Sequence, residues 1–203
     1  MTGTERFDRA AATWDLTERR VLLAQAVVRA IASRLTLSQD QAVLDFGCGT
    51  GLITLELAPS VGSITGADTS AGMLRSLAEK AQAKGISVPL IQLDEAVNGD
   101  LRGPYDLILS SMTLHHVADV PALFSRFAHG LSSGGRVALA DLDEEDGSFH
   151  EDVTGVHHRG FSRKLIEGWL KDAGFRQIQL GTATVTSKES RDYPVFLATA
   201  QRD

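Results

Sequence analysis

The residues of this 203-residue chain whose types could do chemistry gather where short apolar runs end. The most informative stretch is Val43-Leu44-Asp45-Phe46-Gly47-Cys48-Gly49-Thr50-Gly51, an apolar run that reaches an acid and passes into a glycine-rich turn. Glycines at 47, 49 and 51 allow positive φ and let a ligand lie close against the backbone. Two ligand types suit such a turn. A dinucleotide site spaced G-x-G-x-x-G places its third glycine at position 52 and aims a helix N-terminus at a pyrophosphate. Position 52 is Leu52, and Asp45 sets a negative charge beside the turn. An acid there suits a ligand that carries positive charge. Three further acids close apolar runs: Asp68, Asp94 (with Glu95 beside it) and Asp141. His115 and His116 follow another run. Each strand-end Asp taken alone also suits a helix N-cap. Cys48 reads as a small space-filling member of the turn, since only a helix N-terminus could stabilise a thiolate there.

The elements that must position these residues alternate. Residues 42–46, 63–67, 88–93, 105–110 and 136–142 are five to seven residues long and apolar on both faces, the pattern of strands buried on both sides. Helix signals lie between them: Ser70 to Gly85, Asp119 with Pro121 to Gly130, and Ser162 to Gly174. An amphipathic helix over 17–35 leads in, with Val21, Leu22, Ala24, Val28, Ile31, Ala32 and Leu35 on its apolar side and Arg19, Arg20 and Arg29 on the other. Alternating strand and helix predicts an α/β fold with a doubly wound parallel sheet. Residues 175–186 and 193–200 read as two more strands, but about six polar residues between them are too few for a parallel crossover. The expectation is one seven-stranded, mostly parallel sheet with an antiparallel C-terminal strand pair, in a single domain over residues 1–203.

The sequence acid-x-Gly-x-Gly-x-Gly after the first strand, with acids closing the next two strands, resembles the class I S-adenosylmethionine-dependent methyltransferases. Their cofactor carries a sulfonium and an ammonium and no phosphate. The resemblance covers nearly the whole chain and implies a Rossmann-like core over 41–203 behind an N-terminal helical lid segment, 1–38. It implies that Asp45, Gly47, Cys48, Gly49 and Gly51 form the cofactor turn and that Asp68 accepts from the ribose hydroxyls. Thr69 and Met73 then belong to a loop in which Met73 packs on the adenosine, and Asp94 with Glu95 meets the adenine amino group. The Ser110 carbonyl receives the methionyl ammonium. Within the family, Phe7-Asp8-Arg9-Ala10-Ala11-Ala12-Thr13-Trp14-Asp15 and Leu114-His115-His116-Val117-Ala118-Asp119 are similar to signatures of the ubiquinone/menaquinone methyltransferase group, which acts on small molecules. Trp14 is either a core residue or part of a cofactor lid.

Methyl transfer from a sulfonium is a direct displacement, so alignment supplies much of the catalysis and a base is needed only for a protonated acceptor. His115, His116 and Asp141 are the candidate catalytic residues, with imidazole suited to the base. Residues 141–158 hold seven acids and three histidines. Their spacing matches no metal-ligand motif, so a solvated acidic loop is expected and no metal site. Phe149, Phe161 and His157 are expected to line the acceptor cavity. Ser110-Ser111-Met112-Thr113 replaces the Asn/Asp-Pro-Pro-Tyr of adenine and glutamine methylation, and no cysteine follows that strand for attack on cytosine. A small-molecule acceptor remains. The competing readings are a cofactor-binding protein without turnover that acts through a partner, and a NAD-dependent oxidoreductase, which Asp45 and Leu52 oppose.

The net charge of -6 opposes a nucleic-acid or membrane partner held by bulk electrostatics. It is unevenly placed: residues 41–158 carry 16 acids and 6 bases, whereas the flanks carry 10 acids and 14 bases. One cysteine excludes an internal disulfide, and the first residues lack the apolar stretch of a signal peptide, so a cytoplasmic protein is expected. Oligomeric state is not legible from these features.

Overall fold

A computed structural model describes residues 2–94 and 101–203. The strands are β1 (Ala42–Phe46), β2 (Ser63–Asp68), β3 (Leu90–Gln92), β4 (Tyr105–Ser111), β5 (Leu131–Leu142), β6 (Phe175–Lys188) and β7 (Arg191–Arg202). They form one sheet in the order β3-β2-β1-β4-β5-β7-β6. The first five run parallel, and β7 lies antiparallel between β5 and β6. The fold class and the antiparallel pair are as expected, with the last strand inserted next to β5.

Four strands differ appreciably in extent from their apolar runs. β5 begins at Leu131, where it pairs with Tyr105 before a shift of register, because Ser132, Ser133, Gly134 and Gly135 carry no apolar signal while their backbone still belongs to the strand. The β6–β7 hairpin closes through Glu189 and Ser190, both at positive φ (49° and 63°). That is the two-residue turn whose twist matches paired strands, so the polar residues around it continue the ladder. β3 starts only after Pro89, which has no N–H to give a neighbour.

The helices are α1 (Gly3–Ala10), α2 (Glu18–Arg34), α3 (Leu52–Leu57), α4 (Ala71–Lys84), α5 (Val120–Gly130) and α6 (Arg163–Asp172). The N-caps read from sequence are found on α4, α5 and α6. Ser70, Asp119 and Ser162 accept from the backbone N–H groups of Met73, Ala122 and Leu165, and Gly85 ends α4 at φ 67°. The central strands β1, β4, β5 and β7 bury both faces over most of their length, whereas β6 at the edge is largely exposed. Along β4 and β5, Ile108, Val137 and Leu139 face α5 and α6 with Phe124, Phe127, Phe161 and Leu170. Leu107, Leu109, Ala138 and Ala140 face α2 and α3 with Val27, Val28, Ile31, Ile53 and Leu57. The strand order reverses between β1 and β4, where helices leave toward opposite faces and a crevice opens beyond the carboxyl ends. Among the described residues no helix is long and apolar enough to cross a membrane.

Candidate functional site

A cavity of about 720 Å³ occupies that crevice. This is toward the upper part of the range for small-ligand sites. Asp45, Gly47, Cys48, Gly49 and Thr50 line it from β1 and the glycine turn, Asp68 and Thr69 from the end of β2 and the residue after it, and Met73 from the first turn of α4. The Gly47 and Cys48 N–H groups both donate to the Ala67 carbonyl (2.8 and 3.0 Å), which ties the turn to β2. Gly47, Gly49 and Gly51 have φ of 72°, 53° and 81°. A Cβ on Gly47 would lie 2.3 Å from the Thr113 side chain, and one on Gly51 2.2 Å from Leu77 Cδ1. A Cβ on Gly49 would meet nothing within 4 Å, so the turn is open to the cavity at that residue. Gly51 itself is off the cavity wall and serves the packing of α3 on α4. Gly51→Ala is therefore expected to lower Tm, by strain and overlap of about 1–3 kcal/mol; an unchanged melting curve would contradict this packing role.

Two carboxylates flank the turn. Asp68 Oδ2 accepts from the Gly49 N–H (2.8 Å) and Oδ1 from the Ser70 N–H (2.9 Å). Each oxygen keeps a second acceptor site. Asp45 is 2% exposed, and its Oδ2 accepts from the Thr54 hydroxyl at 2.6 Å. Burial pushes the Asp45 carboxyl up to about 7, against the Thr54 hydrogen bond and with help from the charge of Asp68. Burial also raises Asp68. Among the described residues, neither acid is paired with a lysine or arginine.

The opposite wall carries histidines. His115 is buried at the end of the β4 connection, and its Nδ1 lies 2.7 Å from Asp141 Oδ1. A proton on Nδ1 donates to that carboxylate and leaves the lone pair on Nε2. Asp141 also accepts from the N–H groups of Leu142 (2.7 Å) and His115 (3.3 Å). Burial works against its charge, but the His115 ring and these hydrogen bonds outweigh it and hold the carboxyl below its ordinary value. His116 Nδ1 donates to the Gly155 carbonyl at 2.7 Å. Burial, followed by the charge of His115, pulls His116 down to about 3. His150 falls to about 4, again through burial first and then His115 and Arg6. The His115 ring centroid lies 4.1 Å from that of His116 and 4.8 Å from that of His150.

The N-terminal segment roofs the cavity. Asp8 Oδ1 accepts from the Ser70 hydroxyl (2.6 Å) and the Gly72 N–H (2.7 Å), fixing α1 at the start of α4. The Thr50 hydroxyl donates to Asp15 (2.6 Å), which also pairs with Lys80 (2.6 Å). Phe7 meets the edge of Trp14 (5.7 Å) and of His116 (5.1 Å), and both Phe7 and Trp14 line the cavity. Arg19, Arg20, Leu23 and Ala24 of α2 line it as well. Here the structure corrects the placement of Arg19 and Arg20 on the side of the helix opposite its apolar residues. They stand one helical repeat before Leu23 and Ala24 and share the inward stripe that continues through Val27, Val28 and Ile31.

Most of the sequence-predicted residues meet at this cavity, and several do not. Ser110 lies within the β4 ladder, paired with Phe46 and Leu139, and the wall begins one residue later at Ser111, Met112 and Thr113. Asp94 is exposed past the end of β3, where Leu93 supplies the wall. Glu95 lies outside the described residues. Asp141 sits beneath His115 rather than on the wall. Phe149 and His157 line the cavity, whereas Phe161 is 2% exposed in the core beside Trp169 and Phe196. The acidic loop is corrected in another way: four of its acids are ion-paired rather than only solvated. Asp143 pairs with Arg163 (2.7 Å), Asp146 with Arg191 (3.0 Å), Glu151 with Lys188 (2.8 Å) and Asp152 with Arg6 (3.4 Å). The basic flanks thus fold back on the acidic middle. Among the described residues no group of His, Cys, Asp and Glu could hold a metal ion. Sequence reasoning missed Arg6, Phe7, Arg19, Arg20, His150 and Lys188 as cavity residues; only the arginine pair had a usable signal, its four-residue offset from apolar positions.

Residues 16–180 match the sequence profile of a methyltransferase domain family. The chain is 31% identical over 176 residues to an uncharacterized methyltransferase of Schizosaccharomyces pombe, covering 79% of this chain and 60% of that one. It is 30% identical over 150 residues to phosphoethanolamine N-methyltransferase 1 of Triticum aestivum, covering 71% of this chain and 30% of that one. The chain therefore spans less than two thirds of the length of these relatives. Its fold superposes on Haemonchus contortus phosphoethanolamine N-methyltransferase 2, solved in complex with S-adenosyl-L-methionine, with a TM-score of 0.71 at 19% identity, over 86% of this chain and 52% of that one.

Proposed function

Because the chain belongs to the methyltransferase domain family, we propose that its cavity binds S-adenosylmethionine and that it transfers the methyl group to a small organic acceptor. The observation that carries this reading is the pair of buried carboxylates, Asp45 and Asp68, on either side of an open glycine turn without a basic partner. A pyrophosphate would face the charge of Asp68, joined by that of Asp45 as pH rises through about 7, and a cationic cofactor with a ribose would find acceptors.

The residues present fit such a cofactor. Asp68 has an acceptor site left on each oxygen for the ribose hydroxyls, Met73 and Leu93 offer apolar wall for the adenine, and Asp45 with the glycine turn faces the ammonium end. When bound, the cofactor supplies an electrophilic methyl group on sulfur. The chain's own task is to align an acceptor, shed water and remove a proton where the acceptor carries one. His115 Nε2 takes that proton, Asp141 holds the ring in the required tautomer and balances the charge, and His116 stays neutral as a wall. The segment 1–38 acts as a lid through Asp8 and Asp15, one domain with the core 41–203, in the cytoplasm. The small-molecule group named above is part of the same reading.

Incubation with S-adenosylmethionine and a broad panel of small hydroxyl, amine, thiol and carbon acids should release S-adenosylhomocysteine with at least one acceptor. Tight cofactor binding with silence across the panel would contradict turnover and favour a binding protein that acts through a partner. The buried acid gives a pH dependence. Asp45 is protonated below about 7, so the ionised form that faces a cation is gained as pH rises. Affinity for S-adenosylmethionine should fall roughly tenfold from pH 8 to pH 6, and Asp45→Asn should flatten the profile. The same raised value means that ionising Asp45 costs stability, which is present below pH 4 and lost as pH rises through 7 in the unliganded protein. A flat binding profile in the parent chain would remove Asp45 from the site.

A further inference from the structure

The part of the cavity beside the histidines is built unlike the part at the glycine turn. Arg6, Arg19, Arg20 and Lys188 line the cavity together with His115 and His150. Two of these cations are already engaged. Arg6 donates to the carbonyls of Asp152 (2.9 Å) and Thr154 (3.3 Å) and lies 3.4 Å from the Asp152 carboxylate. Lys188 donates to the Phe149 carbonyl (3.1 Å) and pairs with Glu151 (2.8 Å).

Arg19 and Arg20 are held differently. Arg20 lies 3.7 Å from the centroid of the Trp14 ring and donates to the Trp14 carbonyl at 3.2 Å. Arg19 stands 5.1 Å over the Phe149 ring, and among the described residues no oxygen accepts from it. Burial first, then the charges of Arg19 and Arg6, push the Arg20 guanidinium below the usual arginine range. Among the described residues neither Arg19 nor Arg20 has a carboxylate within ion-pair distance; Glu151 and Asp15 act on them only from farther off. Phe149 lies 4.8 Å from the His150 ring, and His150 lies 4.8 Å from the His115 ring. The unfilled guanidinium is thus two rings from the proposed base, within an apolar wall that includes Leu23, Ile53, Met112 and Phe149. A guanidinium oriented on an aromatic face with its donors open matches a planar or tetrahedral oxyanion in bidentate fashion.

We propose that the methyl acceptor is a small acid whose carboxylate or phosphate is bound by Arg19, with its apolar body on Phe149 and its nucleophilic atom toward His115. This rests on the cavity being the cofactor and acceptor site. A second anion, the carboxylate of the cofactor itself, has the same chemistry, so the test must separate the two.

Protein saturated with S-adenosylhomocysteine is titrated by calorimetry with two matched pairs: 4-hydroxybenzoate against 4-hydroxybenzamide, and O-phosphoethanolamine against ethanolamine. The anionic member of at least one pair should bind about tenfold tighter or more. Arg19→Gln should reduce that preference to about twofold or less, and Arg19→Lys should keep part of it. Both variants should bind S-adenosylhomocysteine within about twofold of the parent chain, which also shows that they are folded. Equal binding of both members of both pairs, or a preference that survives Arg19→Gln, overturns the assignment. A loss of S-adenosylhomocysteine affinity of about tenfold or more in a folded Arg19→Gln also overturns it, by giving the guanidinium to the cofactor. If the parent chain does not bind S-adenosylhomocysteine at all, the cofactor reading falls and this one with it.

Discussion

His115→Gln is expected to lower kcat by about 10²–10⁴ with a protonated acceptor, the usual span for removal of a general base. The choice of glutamine follows from the site. Asp141 is fully buried and depends on the His115 side chain for a hydrogen bond. An apolar replacement would strand that charge, at a cost of about 3–5 kcal/mol, and confuse unfolding with lost chemistry. The glutamine amide keeps a donor for Asp141 and has no basic nitrogen. Asp141→Asn should fall nearly as far, because the amide no longer favours the tautomer with its lone pair on Nε2. His116→Gln should fall less, since His116 donates to the Gly155 carbonyl and is held neutral at all working pH values. Cofactor affinity in all three should stay near that of the parent chain. Unchanged kcat in His115→Gln would remove the base from the mechanism.

The second large effect is on binding. Asp68→Ala should weaken S-adenosylmethionine by about 10²–10³, since two hydrogen bonds to a charged acceptor are lost at about 1.5–3 kcal/mol each and the effects overlap. Two N–H groups, of Gly49 and Ser70, would also lose their common acceptor, so the glycine turn and the start of α4 would no longer be held together. Asp68→Asn tests the same point with little change of shape. Its NH₂ group must face either Gly49 or Ser70, donor against donor, and affinity should fall by about tenfold or more. Calorimetry with S-adenosylmethionine reads both variants, and an unchanged dissociation constant in Asp68→Ala would contradict the ribose role.

What was legible in the sequence follows from where local physics decides. Ser70, Asp119 and Ser162 cap their helices because a short polar side chain reaches the free N–H groups whatever the tertiary setting. The β1, β2 and β4 cores were legible because strands buried on both faces leave an apolar run. The start of β5 and the β6–β7 turn were hidden, since polar and glycine residues pair there through backbone alone. At the site, the glycine turn, Asp45 and Asp68 were readable because backbone geometry and a strand end fix them. Ser110 and Asp94 were off the wall for a one-residue reason: the side of a strand end that faces a cavity alternates, and an apolar run does not mark where that strand stops. Arg19 and Arg20 were misplaced because an arginine on a helix is read as facing water, and a cavity is a second polar destination. The acidic loop misled for a related reason. Its partners, Arg6, Arg163, Lys188 and Arg191, come from both flanks, and only the folded chain brings them to it.

The acidic crevice between β1 and β4 is proposed to hold a cationic, phosphate-free cofactor. Calorimetric titration of the parent chain at pH 8 with S-adenosylmethionine and, separately, with NAD tests it most directly. One site for S-adenosylmethionine with micromolar-range affinity, and no heat of binding from NAD, is the expected result. Saturable NAD binding that S-adenosylmethionine does not displace, with no binding of S-adenosylmethionine, would contradict it.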